Sequence, residues 1–281
     1  MIPGEDIFDT YIKHGILRIV HLSHMSNMSA EQVEILALIF LRVSAMIITI
    51  PIVGDSTVPL RVKGGLSLLI TLLLFPIVPT ASWKLSSDIF SLVFRMSGEI
   101  MIGVMVGFTS RLIFDGIQLA GQLIGFQMGF SIVNVIDPIN NEQVSIISQF
   151  QYLVAVLVFL IMNGHHIFLY AIGESFRIVP PLGFHFSGDL MQLLLGFVKN
   201  MLEVAIKTGA PIIAVLMFMS VGMGLVARTV PQINIFIVGF PLQIAIGLIG
   251  IGLTLPVFLR VVEGYFSNLE GDVISLLRLM Q

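Results

Sequence analysis

The sequence has no cysteine, which excludes disulfide bonds and thiolate metal sites and leaves the redox compartment open. It is also poor in charge, since only 11% of its 281 residues are Asp, Glu, Lys or Arg, against about 25% in ordinary soluble domains. No long basic run occurs, so nothing indicates a nucleic-acid-binding surface. Hydrophobic residues make up 56% of the chain. Much of its surface must therefore be kept from water, by a membrane or by partner subunits.

Short motifs typical of catalysis and nucleotide binding are missing from the sequence. It contains no H-E-x-x-H, no G-x-S-x-G and no G-x-x-x-x-G-K-[ST] pattern. His165 and His166 are adjacent, and on a helix adjacent side chains point about 100° apart, which makes a poor shared ligand pair. His14, His21 and His24 fall near one helical face, but no carboxylate or thiol lies at ligand spacing beside them. We therefore expect no catalytic activity, no metal site and no cofactor.

Long apolar segments dominate the chain after residue 32. They are uniformly rich in Leu, Ile and Met, which predicts helices and disfavours a β-barrel, whose strands alternate over roughly ten residues. We predict an all-α fold of hydrophobic helical hairpins, with helices at about 34–53, 64–79, 88–114, 146–162, 190–227 and 235–260, and a further one at 116–130. Pro211, after Gly209 and Ala210, is expected to break or kink the helix at 190–227.

Residues 1–32 differ from the rest in carrying three of the six histidines and several charges. Apolar residues recur at helical spacing over 7–20, which predicts a short amphipathic helix, and residues 23–29 are typical of a linker. The acidic start, with Glu5 and Asp6, is unlike a secretory signal peptide, so we expect the N-terminus to be retained. The predicted organisation is an N-terminal amphipathic extension and linker (1–32) followed by one helical domain (33–281), because no polar linker divides the latter.

Charged residues inside the apolar segments recur at four-residue spacing. The sets are Arg95 with Glu99, Arg111 with Asp115, and the ladder of Lys199, Glu203 and Lys207. On a helix such residues face the same side and can neutralise each other. A lone charge at a bilayer centre costs at least about 2.5 kcal/mol. Paired charges at helix contacts are the favoured interpretation, and an ion or proton relay is the alternative.

Glycines at four-residue spacing mark two helical faces, Gly103 with Gly107 and Gly121 with Gly125 and Gly129. Such faces let helix backbones approach closely where no hydrophobic force drives helices together. Tight packing within the subunit is the favoured interpretation. Contact with neighbouring subunits, or with a closed pore, is the alternative.

Large side chains stand between and after the last two of these glycines. The stretch is Gly125, Phe126, Gln127, Met128, Gly129 and Phe130. A polar turn follows, in which Asp137 and Pro138 will not continue a helix. From these residues alone, packing in the core is favoured. A hairpin that plugs a channel is the alternative, because Met adapts to irregular shapes.

A series of motifs follows in a specific order along the chain. They are Leu41-Arg42-Val43, Pro51-Ile52-Val53-Gly54, Val58-Pro59-Leu60-Arg61, Glu99 with Gly103 and Gly107-Phe108, the stretch from Ala120-Gly121 to Phe130, Asn163-Gly164-His165-His166, and finally Arg228, Pro231-Gln232, Asn234 and Phe240-Pro241. Over about residues 33–265 they resemble the FliR family of flagellar export proteins, and less closely the SctT proteins of virulence-type secretion. The Asn-Gly-His form favours the flagellar branch.

The resemblance implies a subunit of the export gate that moves unfolded flagellar substrates across the bacterial inner membrane at the flagellar basal body. FliR-like subunits assemble with FliP-like and FliQ-like subunits into a helical pore, beside FlhB-like and FlhA-like export proteins. The implied fold resembles a fusion of a FliP-like and a FliQ-like unit in a tilted assembly. Its apolar segments are therefore not all simple membrane spans. Residues 1–32 are an extension relative to a compact family member, which would start near Met28.

By position, the resemblance also assigns roles to residues. Residues 125–130, Asp137 and Pro138 match the family's pore-plugging loop. Arg42 and Glu99 match charged positions inside helices, for which packing or subunit contacts are expected. The remaining packing and signature positions are Pro51, Pro59, Gly103, Gly107, Gly121, Asn163, Gly164, His165, Arg228, Pro231, Gln232, Asn234 and Pro241.

Three other functions remain as alternatives. A virulence-type secretion gate is the nearest of them, because its subunits share the motif order. A secondary transporter for a small solute would explain the paired charges and interrupted helices. An intramembrane enzyme is the weakest, since no nucleophile and base lie at plausible spacing.

Overall fold

The computed structural model describes residues 29–78, 89–130, 145–181, 183–229 and 235–281. Within these ranges every regular element is a helix, which confirms the predicted all-α fold. The helices are α1 (Ala30–Thr49), α2 (Leu60–Leu74), α3 (Ile89–Gln127), α4 (Ile146–Ile161), α5 (Gly164–Ile178), α6 (Gly188–Thr229) and α7 (Ile235–Leu279). The amphipathic helix predicted within residues 7–20 lies outside the described residues.

Helix α1 has sequence signals at both ends. Ser29 and Gln32 form a capping box, in which the Gln32 backbone N–H donates to Ser29 Oγ (3.3 Å) and the Ser29 N–H donates to Gln32 Oε1 (3.0 Å). At the other end Ile50 is extended, with ψ 132°. The residue before a proline disfavours the helical conformation, so Pro51 accounts for this end.

The long helices are more continuous than the sequence predicts. Helix α3 joins the segments predicted at 88–114 and 116–130, and α7 continues to Leu279, well past residue 260. Pro211 lies inside α6, so the helix does not break there, and the alternative of a kink stays a prediction. A proline inside an apolar helix is tolerated when neighbouring groups satisfy the freed backbone. Helix α5 is missing from the prediction because its residues are too mixed in polarity to stand out as an apolar run.

Four of the described helices are long and apolar enough to cross a membrane, over Ala30–Thr49, Ile89–Gln127, Gly188–Thr229 and Ile237–Leu279. The number rises to five if α4 and α5, which are separated by a short break, form one broken span. Length and composition thus permit several membrane crossings.

The chain divides into two compact units. Unit 1 comprises the residues up to Arg111, His165–Leu195 and Leu269–Gln281, and unit 2 comprises Leu112–Gly164 and Gly196–Asn268. Unit 1 has a core from α1 and α3 that includes Leu38, Ile39 and Ile102. Unit 2 contains a cluster of Phe114, Phe159 and Phe266, whose ring centroids are 5.0–5.7 Å apart. These separations suit aromatic packing.

Helix α2 buries a polar face and exposes an apolar one, the reverse of a surface helix in a water-soluble protein. It packs on α1 and buries Lys63, Ser67 and Thr71, spaced four residues apart. The Ser67 and Thr71 hydroxyls donate to backbone carbonyls one turn earlier, at 2.8 and 2.7 Å. Its outward face is apolar, and Leu60 there is 74% exposed. A surface helix in water buries the apolar face instead.

Candidate functional site

Residues 125–130 at the end of α3, called here the α3 end segment, close the helix with a Schellman motif. The Phe130 N–H donates to the Gly125 carbonyl (3.1 Å), and the Gly129 N–H donates to the Phe126 carbonyl (3.0 Å). Gly129 has φ +88°, the left-handed conformation that this motif requires at the residue after the cap. The Asp137 and Pro138 positions of the predicted plug lie outside the described residues.

Helix α7 receives the α3 end segment along one face. Phe240 packs on Gly129, where an added Cβ would lie 2.6 Å from the phenyl ring. The Met128 side chain fills the notch at Gly247, where an added Cβ would lie 2.6 Å from the Met128 sulfur. Met128 is fully buried in a core shared with Ile124, Ile147, Ile212, Leu216 and Ile251. This side chain is anchored by ordinary close packing.

The two phenylalanines of the α3 end segment have different surroundings from Met128. Phe126 is 68% exposed, and Phe130 is half-buried against the core. The structure therefore divides the predicted plug residues into a buried anchor, Met128, and an outward aromatic side chain, Phe126. An apolar side chain so exposed is available to contact something other than its own subunit.

Polar side chains from three helices meet beside the α3 end segment, and we call Gln127, Ser220 and Gln243 the Ser220 cluster. The Gln127 amide Nε2 donates to Ser220 Oγ over 3.4 Å, and the Gln243 Nε2 donates to the same oxygen over 3.1 Å. Ser220 Oγ in turn donates to the Leu216 carbonyl (2.9 Å). The cluster links α3, α6 and α7 inside an otherwise apolar region.

Both glycine faces of α3 are occupied by packing within the subunit. In unit 1, Gly103 and Gly107 lie against Ala45 and Thr49 of α1, and a Cβ on Gly103 would be 2.6 Å from the Ala45 Cβ. In unit 2, Gly121 lies against Ser148 and Gly125 against Ser145, next to α4. Ser148 Oγ also donates to the Gln118 carbonyl of α3 (2.9 Å). These contacts support the favoured interpretation of the glycine spacing.

Arg42 and Glu99 form a fully buried ion pair, with Arg42 Nε donating to Glu99 Oε2 at 2.5 Å. Arg42 Nη1 also donates to the carbonyls of Ser175 and Val179, both at 2.8 Å. Its guanidinium group lies 4.2 Å from the Phe176 ring centroid. A cation at the C-terminal end of α5 is favourable, because the last carbonyls of a helix carry partial negative charge. One side chain therefore joins α1, α3 and α5.

Other charged residues partly follow the four-residue spacing. Lys207 Nζ lies 2.7 Å from Glu203 Oε1, which confirms that step of the predicted ladder. Glu99, however, has its buried partner on α1, and Arg95 lies 3.6 Å from Glu34 of α1. Spacing within one helix did not reveal these partners on other helices.

Pro51 and Pro59 enclose a tight connection between α1 and α2. Lys63 Nζ donates to the carbonyls of Gly54 (2.9 Å) and Asp55 (2.7 Å). The Thr57 backbone N–H donates to Asp55 Oδ1 (2.9 Å) and lowers the pKa of that carboxyl group below its usual value. Asp55 thus stabilises the connection at neutral pH, and this contribution is lost in acid as the carboxylate is protonated. Ile52 has φ +75°, a strained conformation for a β-branched residue.

The Asn163-Gly164-His165 motif forms the corner between α4 and α5. Asn163 has φ +56°, and Gly164 lies directly against the Phe159 ring. His165 and His166 are exposed, with ring centroids 4.4 Å apart. In the part of the chain that the structure describes, no three His, Asp or Glu side chains converge as a metal site would.

Positions of the last signature motif are only partly described. Arg228 is exposed near the end of α6, and Pro241 lies within α7. Pro231, Gln232 and Asn234 fall outside the described residues. Sequence reasoning did not identify Ser220, Gln243, Phe240 and Gly247 as site residues. An isolated polar residue in an apolar run is a signal that marks the first two.

Comparison with known proteins shows which family the chain is similar to. The family model "Bacterial export proteins, family 1" matches residues 33–269. The flagellar biosynthetic protein FliR of Bacillus subtilis (strain 168) is 34% identical over 247 residues, covering 86% of this chain and 94% of that protein. FliR of Escherichia coli (strain K12) is 31% identical over 243 residues, covering 85% and 92%. FliR of Pectobacterium carotovorum subsp. carotovorum is 33% identical over 245 residues, covering 84% and 91%. Because these matches extend over most of both chains, this chain belongs to the FliR family of bacterial export proteins.

Proposed function

We propose that this chain, a component of flagellar type III protein export, is a gate subunit that forms a pore with FliP-like and FliQ-like subunits. We place the pore in the bacterial inner membrane at the flagellar basal body, beside FlhA-like and FlhB-like proteins, with unfolded flagellar proteins as its cargo. The relatives named above are all flagellar, which favours this function over a virulence-type gate.

The observation that carries the proposal is the apolar outward surface of a chain from this family. Helix α2 exposes its apolar face and buries its polar one. Exposed apolar side chains also follow one another at helical spacing on α6 and α7, namely Phe218, Val221, Leu225, Ile249, Leu253 and Val257. Monomeric soluble proteins rarely expose contiguous apolar areas of this kind. Neighbouring subunits together with lipid would cover them.

Co-assembly tests the gate proposal. The chain expressed with FliP-like and FliQ-like proteins should purify in a stable complex with them, because its apolar surface is then covered. The chain expressed alone should aggregate or require detergent, and it should carry no solute flux in liposomes. A chain that purifies as a well-behaved monomer and never binds those partners would contradict the proposal. Substrate-dependent flux by the chain alone would support the transporter alternative.

Within this gate, we assign the seal to the α3 end segment. Phe126 projects from a helix end that Met128 and the Ser220 cluster fix in place. An exposed aromatic side chain on a rigid support suits the closure of a narrow conduit, because it fills space at low conformational cost. Met128 supplies the fixed support.

Ion leak through the assembled complex tests the seal. The variant F126A/M128A/F130A should raise the leak if these side chains seal the conduit. The single variant F126A should do the same without loss of assembly, because Phe126 makes little contact within the subunit. F94A is the matched control, since Phe94 is 81% exposed on α3 and lies outside both the segment and the apolar surface of α6 and α7. Lost assembly with no leak from F126A would instead assign the segment a core role.

A further inference from the structure

We propose that Ser220 and Gln243 are positioning residues that hold the α3 end segment in its closed conformation through Gln127. The inference rests on the proposed function, because it assigns a closed state to that segment. It adds two residues on α6 and α7 that no sequence motif singled out.

The hydrogen-bonding capacity of Ser220 is fully used. A serine hydroxyl has one donor and two acceptor lone pairs. The donor is committed to the Leu216 carbonyl within α6 (2.9 Å). Both lone pairs then face amide donors from other helices, Gln127 at 3.4 Å and Gln243 at 3.1 Å. Because the Ser220 hydroxyl donates to Leu216, its oxygen can only accept from the two glutamines. Both glutamines must therefore turn their amide nitrogen, rather than their amide oxygen, towards Ser220.

Gln243 is central to the face of α7 that receives the segment. Phe240, Gln243 and Gly247 are spaced three and four residues apart, so they lie on one helical face. Phe240 packs on Gly129 and Gly247 receives Met128, while the Gln243 carbonyl oxygen also lies beside Gly129. The same face thus makes two apolar contacts with the segment and one polar contact through Ser220.

The cluster is suited to release as well as to holding. The three side chains are partly buried, so water compensates only in part for a lost Ser220 bond, which favours the bonded arrangement. The bonds are neutral and one is long, so each contributes modestly to stability. The left-handed Gly129 follows directly and can change its backbone angles more freely than other residues. Loss of these bonds would therefore loosen the Phe126 and Gln127 part of the segment, while Met128 stays in its core.

Ion leak through the complete complex with its partner subunits tests this assignment. S220A removes the shared oxygen and both glutamine bonds to it, whereas Q243L removes only the Gln243 bond. Each should raise the closed-state leak about three- to tenfold. The double variant should exceed the larger single effect only slightly, because both changes disable one cluster. S220T keeps the hydroxyl and should show the same leak as the wild-type complex. Complex yield should stay at the wild-type level throughout.

T208V is the matched control. Thr208 is a buried hydroxyl on the same helix, and its hydrogen bonds go to the Val204 and Ala205 carbonyls of α6 itself. It should leave the leak unchanged. If S220A does not assemble, Q243N replaces it, since the shorter side chain keeps the amide but cannot reach Ser220.

The two proposals fail in distinguishable ways. A raised leak from F126A/M128A/F130A with wild-type leak from S220A and Q243L would overturn the role of the cluster and leave the seal intact. Wild-type leak from all of these variants in assembled complexes would overturn the seal itself. A raised leak from T208V equal to that of S220A would also contradict the assignment, because any loosening of α6 would then suffice.

Discussion

Arg42 shows most clearly how a charge is accommodated at the residue scale. Burial disfavours a guanidinium group unless it is paired and hydrogen-bonded. Glu99 supplies the opposite charge, and the carbonyls of Ser175 and Val179 accept two further bonds. The family resemblance singled out both charged positions. Their pairing with each other could not be read from one helix, because 57 residues of sequence separate them.

Replacing Arg42 should destabilise the fold strongly. R42A leaves Glu99 buried without its partner, and we expect a loss of about 3–5 kcal/mol, visible as lost complex or a lower melting temperature. R177A is the control, because the Arg177 side chain is 66% exposed and its 3.5 Å pair with Glu174 should contribute little.

The double variant R42M/E99M separates charge from packing. It removes both buried charges while keeping most of the volume, so it should be more stable than R42A. A double variant as unstable as R42A would show that the carbonyl contacts of Arg42, rather than its charge pairing, hold α5.

Gly129 provides a second test at this scale. Its left-handed φ disfavours any other residue by about 1–2 kcal/mol, and the Phe240 ring would also have to move. G129A should therefore lower the melting temperature of the complex. G222A is the comparison, since no described atom lies within 4 Å of its added Cβ and alanine favours the helix. Equal effects would contradict the conformational argument.

At the scale of helices, the apolar pattern predicts that a helix is present better than it predicts where the helix begins and ends. The segments at 88–114 and 116–130 are one helix, α3, because Arg111 and Asp115 interrupt the apolar run without ending the helix. Pro211 likewise lies inside α6 without ending the helix. Helix α7 continues past residue 260 with buried side chains at helical spacing, namely Val262, Phe266, Leu269, Val273 and Leu276. Periodicity, rather than mean polarity, was the informative signal there.

Close contact between α1 and α3 gives a test at the helix scale. A Cβ on Gly107 would overlap the Thr49 side chain and backbone, so G107A should force the helices apart and cost about 1–3 kcal/mol. G98A lies on the same helix and would make an ordinary 3.5 Å contact with the Phe184 Cβ. Thermal melting of the two variants should differ clearly. Similar melting would show that α1 and α3 can separate freely.

For the candidate site, the sequence singled out the α3 end segment but not the residues of α7 that pack against it. The glycine spacing and the family motifs identified residues 125–130, and Met128 proved to be the buried anchor. The face formed by Phe240, Gln243 and Gly247 depends on how α7 returns across α3. Such contacts are distant in sequence, and the local pattern at either end carries no information about them.

At the scale of the whole molecule, the account depends on what covers the apolar surface. Lipid and neighbouring subunits are equally apolar, so composition alone does not distinguish them. The proposed gate function assigns the exposed apolar side chains of α6 and α7 to contacts with neighbouring subunits. This question can be tested by labelling single cysteines. The sequence has no cysteine, so an introduced one is the only thiol in this chain.

Photo-crosslinking from single cysteines is the most direct measurement. F218C and L253C, at positions 79% and 75% exposed, would carry a thiol-linked photoreactive group in the assembled complex within membranes. The account predicts covalent products with FliP-like or FliQ-like subunits, and their disappearance when the chain is expressed alone. Products with lipid alone from both positions, in complexes that are intact, would contradict it.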